Sequence, residues 1–366
     1  MNKGMLTTEK ILPRLGEVLL PWYRENARAL PWRETADPYP IWISEIMLQQ
    51  TRVAAVLGYY ARFLEAFPTV EALAAAPEER LMKLWEGLGY YSRARNLQKA
   101  ARMVAGAGRF PDTYEGLLAL PGIGDYTASA IASAAFGRRE AAVDGNVLRV
   151  VMRLTDCGDD IADPKVKAAV RARVQEVMPR REEDIRRFNQ GLMELGATVC
   201  VPNGAPRCGA CPAGDFCLAR ARGTAMGLPV KRAKKARRVE GKTVYVLVWE
   251  GRVALRRRPE EGLLASLWEF PNAEGTLEES AAAKPLEEWG LTAREWKKKL
   301  SAKHIFTHVE WRMTGYVLEA QGPGTESFLW ADAETLEECA IPSAFGKFYK
   351  EAKTVLAKEE EGRWDG

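Results

Sequence analysis

The sequence predicts a multidomain chain whose two main parts differ in class, an all-α N-terminal part and an α+β C-terminal part. Three observations carry this. Helical patterning recurs from residue 7 to about residue 220, and no alternating apolar–polar run of any length appears before residue 240. Between residues 222 and 240 the texture changes to a stretch with few apolar side chains, holding Gly227, Pro229 and six basic residues among the eight from Lys231 to Arg238. Beyond it, alternation begins at Thr243.

In order, residues 7–28 read as an amphipathic helix that ends before Leu30-Pro31-Trp32-Arg33, and Asp37-Pro38-Tyr39-Pro40 as a stiff turn. Ile41 to Phe67 gives one helical pattern broken at Gly58 and stopped by Pro68. Residues 69–75, 77–85, 92–105 and 114–120 read as short helices bounded by Gly or Pro, and the pattern stays helical from Thr127 to about Arg220. In the second part, Thr243 to Trp249, the Glu250-Gly251 turn and Arg252 to Arg257 form a β-hairpin. Residues 305–309 and 313–319 read as further strands, and residues 278–292 and 344–359 as helices.

The totals are those of a globular protein: 366 residues, 47% hydrophobic, 28% charged, formal net charge +4. A charge that small says little about partners, so clustering matters more. No basic-then-apolar leader opens the chain and no apolar run is long enough to span a bilayer, so the expectation is a cytoplasmic protein without membrane contact. Six cysteines in such a chain argue against a disulfide framework. Cys157 and Cys339 stand apart as ordinary buried thiols, while Cys200, Cys208, Cys211 and Cys217 crowd together with gaps of seven, two and five residues. Thiolates this close, interleaved with Pro202, Pro206 and Pro212, suit a metal or iron–sulfur centre. Zinc usually shows two paired knuckles, and only one short pair occurs here, which favours a [4Fe–4S] cluster in a structural role.

The stretch Leu120-Pro121-Gly122-Ile123-Gly124-Asp125-Tyr126-Thr127 is a glycine turn that delivers the chain into a helix N-terminus. Gly122 and Gly124 let backbone approach a bulky ligand, and the free amides of the first helical turn suit a phosphate. The same turn also serves as a plain helix corner. Asp144, in Val143-Asp144-Gly145-Asn146, reads equally as an N-cap and as a carboxylate facing a reaction centre. Glu45 shares a helix face with Trp42, Leu48 and Gln49, where an apolar surround would favour the protonated acid; by composition alone it reads rather as a solvated helix residue.

The hairpin, the aspartate some twenty residues beyond it and the Cys₄ loop together resemble the helix-hairpin-helix DNA glycosylases with an iron–sulfur loop. Leu30-Pro31-Trp32-Arg33, the string from Trp42 to Thr51, Trp85-Glu86-Gly87-Leu88-Gly89-Tyr90-Tyr91-Ser92-Arg93 and the string from Leu263 to Pro271 are similar to the adenine-specific mismatch glycosylases, the MutY family. One departure is the seven-residue gap after Cys200, where the family usually has six. The resemblance implies a fold of an all-α glycosylase domain with a [4Fe–4S] loop followed by a Nudix-like α+β domain. It divides the chain into an iron–sulfur helical subdomain (1–28 and 138–221), a six-helix barrel with the hairpin (29–137), a basic linker (222–240) and a Nudix-like domain (241–360).

It also implies roles. Glu45 protonates the leaving purine, Asp144 stabilises the sugar cation as electrostatic partner or transient nucleophile, and Tyr126 helps position both the sugar and Asp144. Bifunctional relatives of the endonuclease III type carry a lysine where Tyr126 stands, so a monofunctional glycosylase without lyase activity is expected. Gln50 and Tyr90 match the family's intercalating positions; Arg28, Trp32, Arg33, Leu48 and Gln190 would line the adenine pocket, and Gly122 and Gly124 would hold the DNA backbone. His304-Ile305-Phe306-Thr307-His308, whose two histidines would share one strand face, resembles a Phe-Ser-His loop. Phe306, Thr307 and His308, with Thr51 and Leu88, would then recognise 8-oxoguanine opposite the target adenine. Aligning the Nudix box on its closing Glu287-Glu288-Trp289-Gly290 places Glu269, Gly275 and Ala283-Lys284 where the box needs Gly, Glu and Arg-Glu, which points to a reader rather than a hydrolase.

The expected partner is duplex DNA carrying adenine opposite 8-oxoguanine or guanine, bound by a monomer. Against this stand a pyrimidine-damage glycosylase with lyase activity, opposed by Tyr126 and the long C-terminal part; a non-catalytic damage-binding module, opposed by the pairing of Glu45 with Asp144; and a Nudix nucleotide hydrolase, opposed by the broken box.

Overall fold

The structure, a computed structural model, describes residues 8–232, 236–324 and 328–360. Residue 7 of the first predicted helix and Lys234 and Lys235 of the basic stretch lie outside these. The chain runs α1 (Thr8–Asn26), α2 (Pro38–Leu48), α3 (Val53–Ala66), α4 (Val70–Ala75), α5 (Glu78–Trp85), α6 (Ser92–Ala107), α7 (Tyr114–Leu118), α8 (Asp125–Phe136), α9 (Gly145–Leu154), α10 (Pro164–Val177), α11 (Glu182–Thr198) and α12 (Leu218–Arg222). Then follow β1 (Arg238–Trp249), β2 (Arg252–Arg257), β3 (Trp268–Glu269), β4 (Asn272–Glu274), α13 (Glu279–Glu288), β5 (Ala293–Ile305), β6 (Val309–Ala320), β7 (Leu329–Ala331), α14 (Ala333–Glu338) and α15 (Gly346–Glu360). Within the described residues the chain forms two compact units, one of residues 8–75 and 96–232, the other of residues 76–95 and 236–360. No helix among the described residues is long and apolar enough to cross a membrane.

In the helical unit, α2 is buried nearly all round, through Tyr39, Ile41, Trp42, Ile43, Ser44, Ile46 and Met47, which makes it a central helix. Asp37 caps it, accepting from the Tyr39 amide at 2.9 Å. The helix α8 packs against it and buries mainly small side chains, Ala128, Ser129, Ala130, Ala132 and Ser133, so the two backbones come close. Each large apolar side chain of α2 contributes roughly 1.5–3 kcal/mol by leaving water. The break predicted at Gly58 falls elsewhere. Gly58 lies inside α3, where the buried Val56, Tyr60 and Phe63 offset the roughly 1 kcal/mol that a helical glycine costs. The chain turns instead at residues 49–52, with Gln50 in the left-handed region at φ 62°. A second core joins α1, α9, α10 and α11 through Leu15, Leu19, Val147, Val151, Val174 and Phe188.

The other unit is built on a seven-stranded mixed sheet of order β3-β2-β1-β6-β5, with β4 added to β1 and β7 to β2. The central pair β1 and β6 is parallel. Alternate residues of β1 enter two cores: Val244, Val246 and Val248 join Phe345, Phe348 and Val355 from the α15 side, while Tyr245 and Leu247 join Ala282 and Leu286 of α13. Burial on both faces is why β1 reads as an apolar run. Residues 76–95 belong here by contact: Lys83 donates to the Cys339 carbonyl at 3.2 Å, and Glu86 accepts from the Ile341 amide at 3.0 Å. Cys339 is buried, whereas Cys157, in the helical unit, is half-buried.

Gly315 of β6 faces Phe348, and a Cβ there would stand 2.2 Å from its Cε1. Gly315→Ala is expected to destabilise this unit by about 1–3 kcal/mol through overpacking. Urea unfolding followed by tryptophan fluorescence measures it, and an unshifted midpoint would contradict the packing.

Candidate active site

Three side chains from the helical unit's two cores converge. Glu45 stands on α2, Tyr126 in the first turn of α8, and Asp144 is the N-cap of α9. Each is lodged among protein atoms yet keeps partial access to solvent, the signature of the wall of a recess. The Tyr126 phenol lies beside the Glu45 carboxyl and interacts with it, and its hydroxyl donates to Met193 Sδ at 3.4 Å. Burial pushes Glu45 up to about 7; the charge of Asp144 adds to this, while the Tyr126 hydrogen bond and the Arg33 charge oppose it. Asp144 is also raised by burial, but it accepts from the Val147 amide at 2.8 Å and from Asn146 Nδ2 at 2.7 Å, bonds that favour its anion. The two carboxyls are thus set apart by environment: one is favoured as an acid, the other held by donors.

Of the expected pocket residues, Arg28, Arg33 and Gln190 sit together. Arg28 Nε and Nη2 donate to Glu194 at 2.6 and 2.9 Å, and Arg33 Nη2 donates to Glu194 at 2.7 Å. Gln190 Oε1 accepts from the Tyr23 hydroxyl at 2.8 Å. Leu48 is half-buried at the end of α2, whereas Trp32 is buried with its ring edge-on to Tyr60 at 5.2 Å. Gly122 (φ 79°) and Gly124 lie exposed in the turn between α7 and α8, with Gly124 as the N-cap of α8. A Cβ on Gly122 would stand 2.7 Å from that of Asn96, so the turn requires glycine both for its φ and for its space.

Gln50 and Tyr90, each in its own unit, share a left-handed backbone, at φ 62° and 48°. A non-glycine residue there costs of order 1–3 kcal/mol, strain that clusters at sites of function. Tyr90 is about half exposed.

The cysteine loop follows α11. Cys200, Cys208, Cys211 and Cys217 line one cavity with Val150, Leu154, Leu195 and Val199. Among the described residues no three His, Cys, Asp or Glu side chains converge closely enough for a single ion. Four thiols spread around one apolar cavity fit a larger polynuclear group better than zinc. Cations stand behind them: Arg153 Nη1 lies 3.4 Å from Cys200 Sγ, and Arg149 Nε donates to the Cys200 carbonyl at 2.7 Å. Arg149 Nη2 also donates to Asn146 Oδ1 at 2.8 Å, so a continuous chain of bonds joins Asp144 to the loop. The sequence reading gave no role to Asn146, Arg149, Met193 or Glu194. Only helical spacing from Gln190 could have pointed to Met193 and Glu194, which lie three and four residues on.

In the sheet unit, Phe306, Thr307 and His308 form the turn between β5 and β6, closed by the Phe306 amide donating to the Val309 carbonyl at 2.8 Å. The strand predicted over residues 305–309 is therefore a turn, and His304 and His308 do not share a strand face. His304 ends up partly buried and depressed by burial, whereas His308 is exposed. Alternating side chains read through a hairpin as readily as along a strand, which is why sequence joined them. Phe306 packs edge-on against His304 (4.5 Å) and Trp311 (4.8 Å), and the hydroxyls of Thr307 and Tyr90 hydrogen-bond at 2.8 Å. Leu88 is buried in this unit, and Thr51 is half-buried in the helical one.

Residues 43–176 match the HhH-GPD superfamily of base excision DNA repair proteins, and residues 243–351 match the NUDIX domain family. The human adenine DNA glycosylase is 35% identical over 400 residues, covering 91% of this chain and 72% of that protein. The Schizosaccharomyces pombe adenine DNA glycosylase is 30% identical over 430 residues, covering 96% and 92%. Among solved structures, a thermostable thymine-DNA glycosylase shares 30% identity and a TM-score of 0.53 over 59% of this chain and 99% of its own. The chain belongs to the adenine DNA glycosylases, with a helix-hairpin-helix base excision repair domain followed by a NUDIX domain.

Proposed function

We propose that this adenine DNA glycosylase acts on adenine mispaired with 8-oxoguanine or guanine in duplex DNA, hydrolysing the N-glycosidic bond without nicking the strand. The observation that carries the reading is Glu45, pushed up to about 7 in a recess it shares with Tyr126 and Asp144. An acid with that pKa is about half protonated at neutral pH, so a large share of molecules can give a proton to a ring nitrogen of the extruded base. The C–N electron pair then leaves with adenine, and positive charge develops on the sugar. Asp144, held by Val147 and Asn146, faces that charge as electrostatic partner or transient nucleophile. Water completes the substitution at the sugar carbon, and its proton returns to the Glu45 carboxylate. Tyr126 is a phenol rather than an amine, so it offers no route to a Schiff base; its hydrogen bond to Glu45 makes it the group that orients the acid.

Extruding the base costs a few kcal/mol of lost stacking. Exposed Tyr90 and left-handed Gln50 are suited to wedge into the gap, with Gly122 and Gly124 holding phosphates. The turn of Phe306, Thr307 and His308 is the proposed reader of 8-oxoguanine, since it offers a hydroxyl, an imidazole and a ring held edge-on by Trp311. Cys200, Cys208, Cys211 and Cys217 would hold a [4Fe–4S] cluster, whose bound role is to fix the loop that carries them. The protein is proposed to work as a monomer.

The single-turnover excision rate is expected to be flat below pH 7 and to fall about tenfold per unit above it, as Glu45 loses its proton. Glu45→Gln should lower excision by at least about a hundredfold while mismatch binding stays within a few-fold. A rate that climbs with pH above 7 would reassign the acid. Changing Phe306 and His308 together to Ala should reduce the preference for 8-oxoguanine over guanine by on the order of tenfold; equal losses on both duplexes would remove the reader role. The purified protein should carry about four iron atoms per chain, and Cys211→Ser should abolish its visible absorbance. Stoichiometric zinc instead of iron would refute the cluster.

A further inference from the structure

Glu194 is the most deeply buried charged side chain among the described residues of the helical unit, and none of the roles above uses it. Its side chain is 0% exposed. An isolated carboxylate in that position would be strongly destabilising. Here it accepts four hydrogen bonds: from the Arg28 amide at 3.3 Å, Arg28 Nε at 2.6 Å, Arg28 Nη2 at 2.9 Å and Arg33 Nη2 at 2.7 Å. A carboxylate has about four acceptor sites, so Glu194 has none left for a substrate. Arg33 Nη1 further donates to the Arg28 carbonyl at 3.1 Å, and its guanidinium lies over the Tyr23 ring at 5.6 Å.

The two arginines are left with one surplus positive charge and with donors that Glu194 does not consume. The Arg28 side chain remains 41% exposed. The cluster also borders the reacting groups. Gln190, Met193 and Glu194 share one face of α11, Met193 Sδ lies 3.4 Å from the Tyr126 hydroxyl, and the Arg33 charge is felt at Glu45.

We propose that Glu194 is a positioning residue of the base pocket, resting on the adenine-excision reading above: it fixes Arg28 and Arg33 as a preset array of donors against which the extruded base is seated. Guanidinium carries donors only, so such an array donates to the unprotonated ring nitrogens of a purine and disfavours an edge made of amino groups. Preset donors matter most for the base itself and little for a sugar–phosphate backbone that has lost its base.

The test compares wild type with Glu194→Gln and Glu194→Asp on two full duplexes, one with adenine opposite 8-oxoguanine and one with a reduced abasic site at the same position. Glu194→Gln should slow single-turnover excision by about ten- to a hundredfold, the scale expected for a misplaced positioning group. Its dissociation constant for the abasic duplex should stay within about twofold, and Glu194→Asp, which keeps the charge, should recover part of the rate. Unchanged excision in Glu194→Gln would overturn the proposal. So would a parallel loss of excision and abasic binding, which is what a purely structural role produces. Wild-type protein that released no adenine from either an 8-oxoguanine or a guanine duplex would instead overturn the excision reading, and this role with it.

Discussion

The helical unit depends on keeping one carboxyl group in an environment that resists its ionisation. Glu45 sits on the helix that is buried on nearly every side, and the small residues of α8 bring Tyr126 against it. Raising a carboxyl in the folded state means that folding takes up a proton. The cost is absent below the unfolded value of 4.5, grows as pH rises through the folded value of about 7, and is constant above it. A shift of that size corresponds to roughly 3 kcal/mol at alkaline pH. The packing of Ile41, Ile43, Ile46 and Met47 in α2 is what the fold sets against that cost. The same apolar packing therefore both stabilises the helix and raises the Glu45 carboxyl.

The helix α9 links this carboxyl's partner to the cysteine loop. Its N-cap is Asp144, and one turn later Arg149 reaches back to Asn146 and across to the carbonyls of Cys200 and Gly196. Arg153, a further turn on, holds the Val201 carbonyl at 2.9 Å. Gly196 is part of the same fit, because a Cβ there would fall 2.6 Å from that of Asn146. An N-cap aspartate is often a local device; here its second oxygen is tied through two side chains to a loop over fifty residues away. Whatever fixes the cysteine loop thereby fixes the carboxylate's orientation.

Much of this was legible in the sequence because it rests on local rules. The glycine turn before α8, the capping aspartate of α9 and the clustered cysteines each need particular residues at fixed spacing. What was not legible rests on long-range pairing. Nothing around Glu194 distinguishes it from a solvated helix residue until Arg28 and Arg33, more than 160 residues earlier, fold over it. The strand β5 was missed for a related reason. It is an edge strand, and Lys297, Lys298, Lys299 and Lys303 make it read as a polar surface. Such charges are what protect an edge from pairing with another chain. Gly58 misled in the opposite direction, since a glycine's local cost gave way to the packing of its neighbours.

The sheet unit reuses its charged residues for structure. Glu269, at the position where the aligned Nudix box opens, is buried between Arg256, at 2.9 Å, and Arg258. A carboxylate committed to two guanidiniums inside a core is unavailable to bridge a cation to phosphate, and Glu287 and Glu288 lie exposed at the far end of α13. Arg258 and Lys242 in turn flank Trp311, the ring on which Phe306 rests. Two cations of this unit are thus committed to holding one aromatic ring in place. That ring supports the turn whose Thr307 meets Tyr90, and Tyr90 arrives on residues 76–95, a segment of the helical half of the sequence that packs with the sheet. The Phe306–His308 turn and Tyr90 are consequently parts of one packed unit, joined by direct contact.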